Sequence, residues 1–264
     1  MNGNGAPILS TKGITKSFGP VQALDGVDFE VSRGEVLALV GDNGAGKSTL
    51  IKAIAGIYSI DDGEFFFEGK PVDISGPNDA TKLGIATVYQ DLALCDNLDV
   101  VANLFLGQEE IASGPGGLVR TLDETDMEQR SHELLEHLSV TIPSVRSEVG
   151  TLSGGQRQQV AVARSLLGDP KVVILDEPTA ALGVVQTKQV LELIHRLRDR
   201  NLAVIVISHN LANVFEVADR IFVMRLGRKA GVFDATHTTE EQIVGAITGA
   251  EFGEGENGEM RRQP

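Results

Sequence analysis

Apolar positions recur along the chain with two periods, and the change from one to the other marks out its elements. From Ile8 to Ile14 and from Val27 to Val31 they alternate with polar positions around turn signals, as in strands with one buried face. Val36–Val40 is apolar throughout and predicts a strand buried on both faces. A helix is predicted over Ser48–Ala55, then strands at Phe65–Phe67 and Ile85–Val88 with a short helix starting near Pro77 between them. From Asp91 to about Gly168 the character is mostly helical, with a loop at Gly114–Gly117, a charged amphipathic helix over Asp123–Leu138 and a second helix over Gly154–Leu167. Beyond Pro170 come a buried strand at Val172–Leu175, a helix at Val184–Arg200, a strand at Ala203–Ile207, and a further helix and strand. On the long helix Val190, Ile194 and Leu197 form one stripe, widened by Leu191 and Leu193, which reads as a core face. Strands alternating with helices imply an α/β fold whose mainly parallel sheet is covered on both faces.

Composition narrows the classes. The 264 residues suffice for one large α/β domain, or one carrying a small inserted subdomain. Glu and Gly dominate from Glu251 onward, so residues 251–264 are expected to be a disordered acidic tail. With 37 acidic against 23 basic side chains the formal charge is −14, the wrong sign for tracking a polyphosphate backbone, so no nucleic acid is expected as a partner. The single cysteine, Cys95, excludes an internal disulfide and a multi-cysteine metal site, fits a reducing compartment, and reads as a small half-buried apolar residue. No secretory signal is expected from the first residues, and no apolar run approaches the roughly 20 residues of a spanning helix. A role at a membrane would come through a partner.

Three clusters carry chemistry. The first follows the buried strand at once: Gly41, Asp42, Asn43, Gly44, Ala45, Gly46, Lys47, Ser48 and Thr49 form a complete phosphate-binding loop running into a helix. Its glycines let backbone N–H groups turn inward around a phosphate, Lys47 is placed to neutralise the β- and γ-phosphates, and Ser48 to hold Mg²⁺. The second is Asp176 and Glu177 at the end of a buried strand, where open α/β sheets place ligands. Asp176 suits Mg²⁺, usually through water, and Glu177 suits polarising an attacking water. His209 ends the next strand in the same way, whereas His132, His137, His195 and His237 are expected to be solvated. The third is Ser153, Gly154 and Gly155, which open a helix and offer a hydroxyl, two unencumbered N–H groups and the positive helix end to a second anion.

These motifs together resemble the ATP-binding subunit of an ABC transporter over roughly residues 8–248. The resemblance implies a phosphate-loop NTPase of ABC type: one domain over residues 1–250, a mainly parallel central sheet, an N-terminal antiparallel β region, and a helical subdomain inserted at about 91–168. It places Phe18 as the adenine-stacking aromatic, Gln90 as the glutamine that senses Mg²⁺ and the transmembrane partner, and Leu152–Gln156 as the signature, with Gln156 among the nucleotide-binding residues. Asp176 matches the metal-contacting carboxylate, Glu177 the catalytic one and His209 the γ-phosphate histidine. It further implies Mg²⁺-dependent ATP hydrolysis by a head-to-tail dimer that closes on two ATPs and opens after hydrolysis.

One position departs from the pattern. The family usually continues Ser-Ala-Leu-Asp after the catalytic glutamate, and that aspartate bridges the dimer; here Gly183 ends Ala180-Ala-Leu-Gly183 and supplies no carboxylate. This variant, with Val88–Leu98 and Ile207-Ser-His-Asn, resembles single-cassette subunits of bacterial monosaccharide importers of the ribose and fructose type. The implied setting is the cytoplasmic face of the cell membrane, held there peripherally by a separate permease that an extracytoplasmic sugar-binding protein feeds. Two alternatives stay open at this point: a soluble ABC ATPase of DNA maintenance, and a nucleotide-dependent regulator.

Overall fold

The computed structural model describes residues 6–113, 120–250, 252–254 and 260–262. The first half runs β1 (Leu9–Phe18), β2 (Val21–Val31), β3 (Val36–Val40), α1 (Lys47–Ile54), β4 (Asp62–Phe67), β5 (Lys70–Val72), α2 (Pro77–Leu83), β6 (Ile85–Val88) and α3 (Val100–Phe105). Next come β7 (Ile111–Ser113), β8 (Arg120–Leu122), α4 (Glu124–His137), a 3-10 turn (Val149–Thr151) and α5 (Gly154–Leu166). The remainder is β9 (Val172–Asp176), α6 (Val184–Asp199), β10 (Ala203–Ile207), α7 (Leu211–Val217), β11 (Arg220–Arg225), β12 (Arg228–Asp234), α8 (Glu240–Thr248), β13 (Phe252–Glu254) and β14 (Met260–Arg262).

Six strands form the central sheet in the order β12-β11-β3-β10-β9-β6, parallel except for β12, which pairs antiparallel at one edge. A second sheet, β2-β1-β4-β5, is antiparallel throughout. Of these, β1 and β2 read as alternating strands because one face is packed, whereas β3, β9 and β10 are buried on both faces and read as unbroken apolar runs.

Strand alternation sorts the core into layers. Leu37 and Leu39 of β3, Ile174 of β9 and Ile205 of β10 pack with Leu50, Ile51 and Ile54 of α1. Val173, Leu175, Val204 and Val206, pointing the other way, pack with Val160 and Val162 of α5, Ile194 and Leu197 of α6, and Leu104 and Leu135 of α3 and α4. Helices α1 and α5 therefore lie on opposite faces of the central sheet.

The stretch from Asp91 to Gly168, read as mostly helical, also contains the strand pair β7 and β8, with Ile111 opposite Leu122. Two three-residue strands are too short to show an alternation of their own. The predicted loop at Gly114–Gly117 lies outside the described residues. So does most of the acidic tail, although β13 and β14 within it pair antiparallel. His195, expected to be solvated, instead turns Nδ1 into the protein, where it is buried with no hydrogen-bond partner among the described residues. It sits on α6 beside Ile194, one residue off the apolar stripe, so only part of its ring reaches water. Cys95 is half-buried, as its type suggested.

Candidate functional site

Parallel strands deliver their C-terminal ends to one edge of the sheet, and register shows which residues arrive together. Ile207 of β10 lies opposite Leu39 of β3 and Asp176 of β9, and Val88 of β6 lies opposite Leu175. The phosphate loop, Gln90, the Asp176-Glu177 pair and His209 thus leave four neighbouring strands at the same edge.

In the loop, Gly41, Gly44 and Gly46 take φ of +149°, +81° and +101°. A Cβ at Gly41 would lie 2.3 Å from the Met224 carbonyl oxygen, and one at Gly46 2.6 Å from that of Ala23, so neither position admits another residue without moving backbone. Gly46 caps α1 without any side chain, which leaves the first N–H groups of the helix free to meet an anion. Buried Ala45 anchors the loop: its N–H donates to Asp42 O at 3.1 Å and its carbonyl accepts from Gly227 at 3.0 Å. Asp42, Asn43 and Gly44 form the exposed crest, and Ser48 is exposed while Thr49 is half-buried on α1. The Lys47 ammonium donates to Gly41 O at 2.6 Å and Asp42 O at 3.0 Å, curled over the cradle. Burial lowers its pKa, while the charges of Glu177, Asp42 and Asp176 hold it up.

Glu177 has φ +48°, a left-handed conformation that costs a non-glycine residue about 1–3 kcal/mol. Its N–H donates to Ile207 O at 2.9 Å, which ties this turn to β10. Its Oε1 lies 2.9 Å from His209 Nδ1, the glutamate largely covered and the histidine 76% exposed. Burial and the adjacent Glu177 charge raise the pKa of Asp176 against the opposing pull of Lys52 and Lys47. Gln90 is exposed two residues beyond β6. Burial, helped by the Asp176 charge, also raises the neighbouring Tyr89 phenol, which places this segment beside the carboxylates. A cleft of about 790 Å³ opens next to Gln90, lined by Pro77, Thr81, Tyr89, Leu92 and Arg164 among others. Phe18 ends β1 and is 43% exposed.

Ser153 caps α5 in a capping box. Its Oγ accepts from Gln156 N–H at 3.3 Å, and Gln156 Oε1 accepts from Ser153 N–H at 3.0 Å. Gln156 Nε2 donates to Thr141 O at 3.1 Å, so its amide, read from the motif as a nucleotide contact, is spent within the chain. Gly154 and Gly155 serve close packing: a Cβ on them would meet Leu182 Cδ2 at 3.1 Å and Gln186 Cβ at 2.8 Å. The segment after Glu177 is thereby seated against the start of α5.

The sequence reading missed three side chains in this region. Tyr58 packs against Phe18, Lys52 acts on Asp176, and Asn213 donates to Thr179 Oγ1 at 3.1 Å, joining α7 to the turn after Glu177. None belongs to a local motif.

A family model described as ABC transporter matches residues 24–180. The chain belongs to the ABC transporter family. This ABC chain is 49% identical over 246 residues to the fructose import ATP-binding protein FrcA of Rhizobium meliloti, covering 92% of itself and 95% of that protein. It is 45% identical to the xylose/arabinose import ATP-binding protein XylG of Sulfolobus acidocaldarius, covering 96% and 99%. Against the ribose import ATP-binding protein RbsA of Yersinia pestis it is 41% identical and spans 47% of the longer chain. Among solved structures, an ATP-binding cassette of an ABC transporter in its ADP conformation matches with a TM-score of 0.78 at 29% identity, over 92% of this chain and 96% of that one.

Proposed function

We propose that this ABC protein is the ATP-hydrolysing subunit that energises import of a monosaccharide. One observation carries the hydrolytic part: four strand ends bring the phosphate loop, Asp176, the Glu177–His209 pair and Gln90 to a single edge. The full-length likeness to fructose and xylose/arabinose import ATP-binding proteins supports the import part.

ATP enters with its phosphates in the cradle of Gly41–Thr49 and its base on Phe18. Glu177 takes the proton from the attacking water, with His209 steering the carboxylate through the 2.9 Å contact and facing the γ-phosphate. Lys47 turns from the loop carbonyls to the phosphates. Among the described residues no group of three or more His, Cys, Asp or Glu gathers as a metal centre. Mg²⁺ fits here by another route: Ser48, Asp176 and Gln90 supply hard oxygen donors beside a phosphate cradle, and the phosphates complete the set. When bound, the ion neutralises charge developing on the transferred phosphoryl group.

The signature helix starts on the opposite side of the sheet from α1, so its anion site serves a second copy arranged head to tail. No helix among the described residues is long and apolar enough to cross a membrane. The likeness to import ATP-binding proteins supports a peripheral role at the cytoplasmic face, through a separate permease seated at the cleft beside Gln90 and fed by an extracytoplasmic sugar-binding protein.

Glu177→Gln tests the reading twice. Purified, it is expected to bind ATP normally and to hydrolyse it at least ~10²-fold more slowly; near-normal turnover would remove Glu177 from the mechanism. Captured with ATP from native membranes, it is expected to bring down a polytopic permease, and recovery of soluble partners alone would defeat the import assignment.

A further inference from the structure

The exposed aromatic ring on which the base rests is held from behind by a segment that no motif contains. Helix α1 ends at Ile54, and the chain then turns back through Tyr58, whose N–H donates to Lys52 O at 3.1 Å. The Tyr58 ring meets Phe18 edge to face, with centroids 5.1 Å apart and planes at 71°. Lys52 Nζ stands 5.4 Å from the Tyr58 centroid, and Lys16 Nζ 5.6 Å from that of Phe18. Three residues on, Asp61 grips the strand that carries Phe18. Its Oδ1 accepts from Lys16 Nζ at 2.8 Å, its Oδ2 from Ser17 N–H at 2.6 Å, and its own N–H donates to Thr15 O at 2.8 Å.

The arrangement has a geometric consequence. A nucleoside triphosphate that spans the site touches α1 with its phosphates and Phe18 with its base, so its fit depends on the separation of two elements remote in sequence. The 58–61 segment is continuous with α1 and clamps the last residues of β1. It transmits the position of the phosphate-binding helix to the ring. Phe18 alone, 43% exposed at the end of a strand beside the Gly19-Pro20 turn, has little else to hold it.

We propose that Tyr58 and Asp61 are positioning residues for the nucleotide base, fixing Phe18 at the distance from α1 that a purine nucleoside triphosphate bridges. The proposal rests on the reading of Phe18 as the base platform. It assigns the two residues no contact with phosphate and no part in the chemical step.

The test compares MgATP with magnesium tripolyphosphate, which has the phosphates and no base, by titration calorimetry on the full chain. Phe18→Ala is expected to weaken ATP about ten-fold, in line with the loss of one stacked base, and to leave tripolyphosphate unchanged. Tyr58→Ala is expected to weaken ATP about five-fold without affecting tripolyphosphate, Tyr58→Phe to restore ATP binding, and Asp61→Asn to repeat the selective loss about two- to three-fold. If Phe18→Ala weakens ATP while Tyr58→Ala and Asp61→Asn do not, the positioning role is wrong and the platform stands. Equal weakening of both ligands by Tyr58→Ala would reveal general damage to α1 and overturn the proposal. If Phe18→Ala binds ATP as the parent does, the platform reading fails and the proposal falls with it. Should Tyr58→Ala not fold, Asp61→Asn and Tyr58→Phe decide the matter by the same comparison.

Discussion

The chain contains two glycine-rich helix starts, and they use glycine for different reasons. In the phosphate loop Gly41 and Gly46 have positive φ and would drive a Cβ into carbonyl oxygens, so the backbone itself is bent into a cradle. In the signature segment Gly154 and Gly155 have ordinary dihedrals and are small because Leu182 and Gln186 press against them. The first helix is uncapped and its donors are free; the second is closed by a full capping box. The difference teaches that glycine bends the backbone at the first helix start and clears space for packed side chains at the second. Both are helix N-termini, whose N–H groups and dipole favour an anion. What separates them is which groups the chain has already satisfied.

Gly46→Ala should have the largest effect. Its Cβ would fall 2.6 Å from Ala23 O at φ +101°, so ATP binding is expected to be lost and stability to drop by more than about 1 kcal/mol, measured by calorimetry and urea unfolding. Ser153→Arg acts on the other side alone. It should abolish ATP-dependent pairing, and with it most turnover, while a single chain keeps its ATP affinity; sedimentation with ATP in the Glu177→Gln background reads this, and intact pairing would make the two starts equivalent after all.

A smaller effect concerns the charge beside the loop. The raised pKa of Asp176 means that, between its ordinary value of 3.8 and its folded value, the folded chain holds a proton that the unfolded chain has released. Stability therefore falls as pH rises through that window and stays lower above it. Asp176→Asn should melt higher than the parent at neutral pH without nucleotide, the gain shrinking as pH falls through the window, and should respond less to Mg²⁺ with ATP. An unchanged melting temperature at pH 7 would show that burial does not penalise this carboxylate.

The smallest expected change is Gly183→Asp. Gly183 is the uncapped N-cap of α6, extended at φ −73°, and an added side chain meets only the movable end of Gln186. Capping should stabilise the chain by a few tenths of a kcal/mol, roughly the difference between Gly and Asp at such a site. A larger response in ATP-dependent pairing than in stability would show that the missing carboxylate had limited the signature side.

By itself the sequence determined what local pattern can encode. Unbroken apolar runs specified β3, β9 and β10, because a strand buried on both faces has no polar positions to alternate with. The phosphate loop was legible because its spacing, its glycines and its flanking strand and helix all lie within one short segment. Glu177 and His209 could be named as strand-end residues, yet their 2.9 Å contact exists only because β9 and β10 pair in one register. The strand pair β7–β8, the brace of Tyr58 and Asp61 behind Phe18, the inward Nδ1 of His195 and the seating of Gln186 on Gly155 were decided by the tertiary structure. So was the placing of α1 and α5 on opposite sheet faces. Periodicity reports which face of an element is buried; what it is buried against depends on chain segments that meet only after the sheet has closed over its core.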